Sequence, residues 1–130
     1  MSAASDFLEG EWIKYAFTAT AMTARPTAWK VRLHTADPTE AGTAAQVSGS
    51  GYVADGVAAT FTQSASQVSN AGAITYATVV TTPYTVSHVS VWESAPGANC
   101  LFVGALAVPK TLAVGEAISF AIGELILSDA

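Results

Sequence analysis

Side chains capable of chemistry are few and widely spaced in this chain. His34 and His88 are its two histidines, Cys100 is its single cysteine, and ten carboxylates are spread along 130 residues. His34 lies close in sequence to Asp37 and Glu40, so a metal site or an acid–base pair can be drawn there. Two histidines without a tight H-x-H or H-x-x-x-H spacing, and without a cysteine pair, lack the ligand pattern of a zinc centre. His88 alternates with Val89 and Val91 in a strand-like run. Both histidines are therefore expected to be hydrogen-bonded structural groups, and no metal or cofactor is expected.

Three other constellations fail on context. Ser48-Gly49-Ser50-Gly51 resembles a nucleophile turn, but Tyr52-Val53 and another β-like run follow it, where a nucleophile elbow needs a helix. The same stretch lacks the Gly-Lys-Ser/Thr ending of a phosphate loop and reads as a plain turn. A carboxylate pair for cutting sugars also needs a cleft with exposed aromatics, whereas Trp12, Trp29 and Trp92 lie in amphipathic patterns that favour burial in the core. Cys100, in the run Cys100-Leu-Phe-Val-Gly, reads as a small buried apolar side chain. No catalytic, cofactor-binding or metal residue is assigned, and no enzyme activity is expected.

The elements that would hold such groups are short. A helix is expected from Asp6 to Phe17: Ser5 caps it, Asp6 and Glu9 occupy its first turn, and Leu8, Trp12, Tyr15 and Ala16 share a face. It either plugs the domain or reaches a neighbouring subunit, with docking on its own chain preferred. Ala28 to His34 alternates cleanly, with Trp29, Val31 and Leu33 on one face and Lys30, Arg32 and His34 on the other. Thr35 to Ser50 reads as a long loop through Asp37-Pro38 and is a candidate contact surface. Later strands are expected at 52–53, 57–62, 73–80, 85–93, 101–108, 117–122 and 125–127, with turns at 64–70, 81–84, 94–99 and 109–115. The pattern predicts an all-β fold, an antiparallel β-sandwich of jelly-roll-like or Greek-key topology with a short N-terminal helix. Residues 1–18 would be the helical segment and 19–130 a single sandwich domain.

Composition sets the outer limits. Half the residues, 51%, are hydrophobic and only 12% are charged, about half the usual share. Such weakly polar surface suits a protein that sits against copies of itself or neighbours. The net charge of -5, with Lys14, Arg25, Lys30, Arg32 and Lys110 scattered, argues against nucleic acid as a partner. The small, acidic start from Met1 to Asp6 is not a secretory signal, and no apolar run approaches the ~20 residues of a membrane span. Synthesis in the cytosol, without a membrane partner, is the expectation.

Across most of its length the chain resembles a family of small tailed-phage proteins often described as tail fibre proteins. The segments that carry the resemblance are Ser2-Ala-Ala-Ser-Asp-Phe-Leu-Glu9, Val31-Arg-Leu-His-Thr-Ala-Asp-Pro-Thr39, Val47-Ser-Gly-Ser-Gly-Tyr52, His88 to Glu93, Gly104-Ala-Leu106 and Pro109-Lys-Thr111. Gln46 and the Thr/Val-rich 80–88 region depart from the family pattern. The resemblance implies a bacteriophage virion component and supplies no catalytic or metal residue. A repeat-free globule cannot form a fibre shaft, so the first expectation is a homo-oligomeric, trimeric capsid decoration or cement protein whose partner is the major capsid protein. The alternative is a tail-fibre or spike module, an adhesin touching a host polysaccharide or receptor. Contacts to neighbours are expected from the segment Ser2 to Trp12, notably Phe7, Leu8 and Trp12, and from Asp37, Pro38, Thr39 and Glu40 in the loop.

Overall fold

The computed structural model describes residues 3–128, so Ser2 of the expected contact segment lies outside the described residues. Chain entry is a two-residue strand, β1 (Ala3–Ala4), followed directly by helix α1 (Asp6–Phe17). Ser5 sets the helix start. Its hydroxyl accepts the Leu8 N–H at 3.2 Å and donates to the Cys100 carbonyl, so one side chain caps the helix and ties it to the sheet. Asp6 and Glu9 lie at the positive end of the helix dipole and Lys14 at the negative end. At the far end Thr18 closes the last turn through its N–H and hydroxyl, both donated to the Lys14 carbonyl.

The main layer is a five-stranded antiparallel sheet. Its order is β1, β8 (Cys100–Leu112), β7 (Tyr84–Ala95), β2 (Ala28–His34), β3 (Val57–Ala59). β2 has the boundaries its alternation predicts, and its register aligns apolar residues: Val31 opposite Val91, and Leu33 opposite Val89. β8 runs farther than expected, through Pro109 to Leu112, with a register irregularity against β7 between Val86 and His88.

A second layer covers the apolar face. It consists of a three-stranded antiparallel sheet, β10 (Ile126–Ser128), β5 (Gln67–Asn70) and β4 (Phe61–Ser64), and a two-stranded pair, β6 (Ile74–Thr75) with β9 (Ser119–Phe120). Val31, Leu33, Val89 and Val91 from the main sheet form one buried cluster with Ile74, Tyr76, Ile118 and Phe120. Tyr76 stands edge-on to Phe120 at 6.2 Å and donates its hydroxyl to the Val31 carbonyl at 2.9 Å. That bond satisfies the phenol inside the core, where burial pushes its ionisation well above the ordinary range. The architecture is the expected antiparallel sandwich with one N-terminal helix.

Several elements differ from the sequence expectation. Residues 57–62 break into β3 and β4 around Thr60, and the 64–70 stretch contains β5 after a tight turn in which Ala65 takes φ +53. Of 73–80 only Ile74–Thr75 pairs, and of 117–122 only Ser119–Phe120. Tyr52-Val53 is not a strand; Tyr52 instead accepts the Leu33 N–H at its hydroxyl, 3.0 Å away. Trp12, expected in the core, is 44% exposed.

Candidate contact surface

His34 is buried beneath the 35–46 loop, and its hydrogen bonds define its protonation. Nδ1 lies 2.8 Å from the Ala44 carbonyl, which can only accept, so Nδ1 carries the proton. Nε2 lies 2.7 Å from the Ser90 hydroxyl, which also accepts the Trp92 indole N–H at 2.8 Å. Ser90 therefore donates to Nε2, and every polar atom of this chain of groups is matched with the imidazole neutral. Burial holds the His34 pKa below its ordinary 6.5, with the nearby charges of His88 and Arg32 adding to the effect. His88 bonds Ser87 at 2.8 Å and remains half-buried. Both histidines are hydrogen-bonded within the fold, as expected.

A pH dependence follows from that depressed value. Above 6.5 the imidazole is neutral in folded and unfolded chains alike; below it the unfolded chain takes up a proton that the folded chain refuses. Folding stability should fall as pH drops from 6.5 through the folded His34 value. Urea-unfolding midpoints should show this slope in the wild type and a shallower one in His34→Gln; equal slopes would refute it.

The loop expected to present Asp37, Pro38, Thr39 and Glu40 is partly folded inward. Asp37 accepts the Thr39 N–H at 2.9 Å in an Asx turn, which drives Pro38 into a buried position and leaves Asp37, Thr39 and Glu40 exposed. Gly42 then packs on Cys100 and Trp92. Glu40 does not join His34. It meets Asp6 and Glu9 at the start of α1, where their carboxylate oxygens lie within 4.8 Å of one another. Repulsion from Glu9 and then Asp6 raises the Glu40 pKa. The helix dipole offsets part of this crowding. These three exposed carboxylates are the metal-type cluster among the described residues, an all-oxygen set of the kind hard cations take. Phe7 and Glu40 share a shallow groove with Ser5, Asn99 and Cys100, so helix and loop meet within the chain.

Other candidates resolve into structure. Ser50 lies in a left-handed turn, donates to the Thr82 carbonyl at 2.8 Å and accepts the Thr82 N–H at 2.9 Å, which pins the turn to the 81–82 loop. Cys100 is buried, and burial pushes its thiol up to about 11. Glu93 went unnoticed in sequence: it is buried beside the hairpin turn 94–99, where one carboxylate oxygen accepts from Asn99.

Helix α1 carries the most distinctive surface. Its one buried residue is Glu11, whose carboxylate accepts the Thr23 N–H at 2.7 Å and pairs with Lys14 at 2.8 Å. Those partners, the Lys14 bond foremost, hold the Glu11 carboxyl below its usual range. Of the expected stripe only Leu8 is half-buried. Trp12, Ile13, Tyr15 and Phe17 are 44%, 60%, 76% and 82% exposed. Beside them an open groove of about 360 Å³ runs between helix and sandwich, lined by Leu8, Trp12, Trp29, Phe61, Phe102 and Leu127 among others. Its walls are almost wholly apolar and include the aromatic side chains Trp12, Trp29, Phe61 and Phe102.

Fold and surface together define a β-sandwich with one N-terminal helix that leaves large apolar side chains exposed. A family model described as Podophage GP4 fiber I protein gp80 matches residues 3–128, and the chain belongs to this family of phage fibre proteins. No curated protein matches the chain. No helix among the described residues is long and apolar enough to cross a membrane.

Proposed function

We propose that this chain is a non-enzymatic module of a phage tail fibre or spike, held on the virion through its N-terminal helix. The observation that carries this reading is the family match over residues 3–128, whose description refers to a fibre. It favours the fibre alternative over the capsid-decoration expectation, because nothing in that description points to the head. The exposed aromatic helix supports an attachment role, since a face of this kind costs free energy while it stays in water. A host receptor or polysaccharide would then be met by exposed loops of the sandwich.

Antibody labelling of separated tails and tail-less heads tests the reading. A few copies confined to tails are expected. Hundreds of copies on heads would overturn it and restore the cement role. Deleting residues 1–12 is a poor probe, because it also strips β1 from β8 and removes the Ser5 bond to Cys100.

A further inference from the structure

We propose that a second cleft, under the connector between α1 and β2, binds a small amphiphile with an apolar body and one anionic head group, of the medium-chain carboxylate class. The cleft holds about 320 Å³, inside the ~300–1,000 Å³ range of small-molecule sites, and its walls are almost wholly apolar. Phe7 and Leu8 of α1, Leu101 of β8 and residues 22–26 of the connector line it. It lies on the inward flank of the helix beside Glu11. Ile13 follows Glu11 by two residues, about 200° around the helix, so the cleft and the outward apolar side chains are separate surfaces. The connector has no secondary structure of its own, yet it is pinned on both sides of Arg25. Thr23 donates its N–H and its hydroxyl to Glu11, at 2.7 and 3.0 Å, and Thr27 donates its N–H to the Ala95 carbonyl at 2.8 Å. A strap fastened at both ends holds the cleft in shape before a ligand arrives, which lowers the ordering cost of binding.

Charge selects the head group. Glu11 is the carboxylate of the cleft, and its charge is offset by Lys14 at 2.8 Å. Lys30 and Arg32 pair with Asp55, and Lys110 pairs with Glu124. Arg25, on the cleft wall, is thereby the cation without a carboxylate among the described residues, in a chain of net charge -5. An apolar body fills the cleft while its anionic end meets the guanidinium, the pairing in which hydrogen bonds to charged groups are strongest. The same net charge favours a free amphiphile over a bilayer, because an anionic membrane surface repels the chain as a whole.

Nuclear magnetic resonance of the full chain with isotope-labelled methionine methyl groups tests the site, because Met22 lines the cleft. Monomeric decanoate at neutral pH should shift the Met22 methyl signal, assigned through Met22→Leu. Butanoate at the same concentration should not, since each missing methylene forfeits about fourfold in affinity. Arg25→Gln should weaken decanoate about fivefold, the upper end for an ion pair open to solvent, and leave decanol unchanged. Ala24→Phe, on the same strap, should abolish both. Residues 24 and 25 are exposed, so both variants should keep the wild-type circular dichroism. A Met22 signal unmoved by decanoate, an equal loss of decanoate and decanol in Arg25→Gln, no loss of either, or binding to anionic phospholipid vesicles alone would each overturn the proposal. None of these readouts uses phage, so failure here leaves the fibre reading untouched.

Discussion

Asn70→Ala should destabilise the fold by roughly 3–5 kcal/mol, because the change strands one buried N–H and two partly buried carbonyls at ~1–3 kcal/mol each. Asn70 ends β5, fully buried, and its amide is shared among three segments. The nitrogen donates to the Gly72 carbonyl at 2.8 Å and to the Ala121 carbonyl at 2.9 Å, while the oxygen accepts the Leu125 N–H at 2.9 Å. It thereby ties the entry to β6, the exit from β9 and the entry to β10. No single-purpose donor or acceptor can replace it. Asn70→Asp keeps the shape and the acceptor for Leu125 but sets a carboxylate against two carbonyls, so it should be damaging too. Domains of this size hold only about 5–15 kcal/mol in total, so the alanine variant should shift the urea midpoint far and unfold near body temperature. A loss below ~1 kcal/mol in both variants would mean that water replaces the amide and the corner is not fixed by Asn70.

What could be read in the sequence was local, and what could not depended on partners far along the chain. Helix α1 and strand β2 have the predicted boundaries because a capping serine and an unbroken alternation are self-contained signals. β6 and β9 are two residues long and exist only through pairing with each other across the chain, Ile74 with Phe120 for example, while β5 pairs locally with β4 inside a stretch whose composition reads as a turn. Trp12 misled for a different reason: the helical stripe of Leu8, Trp12 and Tyr15 looks like a core face, yet Trp12 and Tyr15 are left exposed. Among the loop residues, the Asx turn at Asp37 separates neighbours, burying Pro38 and turning Glu40 toward Asp6, a pairing across 34 positions that no spacing rule reveals. Asn70 gave no signal at all, since one asparagine in a polar stretch reads as a turn.

Gly42→Ala should lower stability by roughly 3–4 kcal/mol, from a left-handed conformation that costs a side-chain-bearing residue ~1–2 kcal/mol and from overpacking that costs ~1–3 kcal/mol. Gly42 has φ +75 and is buried where the 35–46 loop crosses the outer face of the main sheet. A methyl group there would collide with the Cys100 sulfur and lie 3.2 Å from Trp92 Cζ2. The two contributions can be separated, because only the second depends on Cys100. Cys100→Ala removes the sulfur that the methyl meets first but leaves the Cys100 Cβ position 3.1 Å away, so the double variant should recover most of the steric part and retain the backbone part. A double-mutant cycle on unfolding free energies should therefore give a favourable coupling of at least ~1 kcal/mol. Strict additivity would show that the loop lifts off rather than pressing on the sheet. That distinction bears on function, since this loop covers His34 through Ala44 and delivers Glu40 to the start of α1. If it lifts, the acidic end of the helix loses one of its three carboxylates, and His34 becomes free to protonate near its ordinary 6.5, flattening the pH dependence in the Gly42→Ala chain alone.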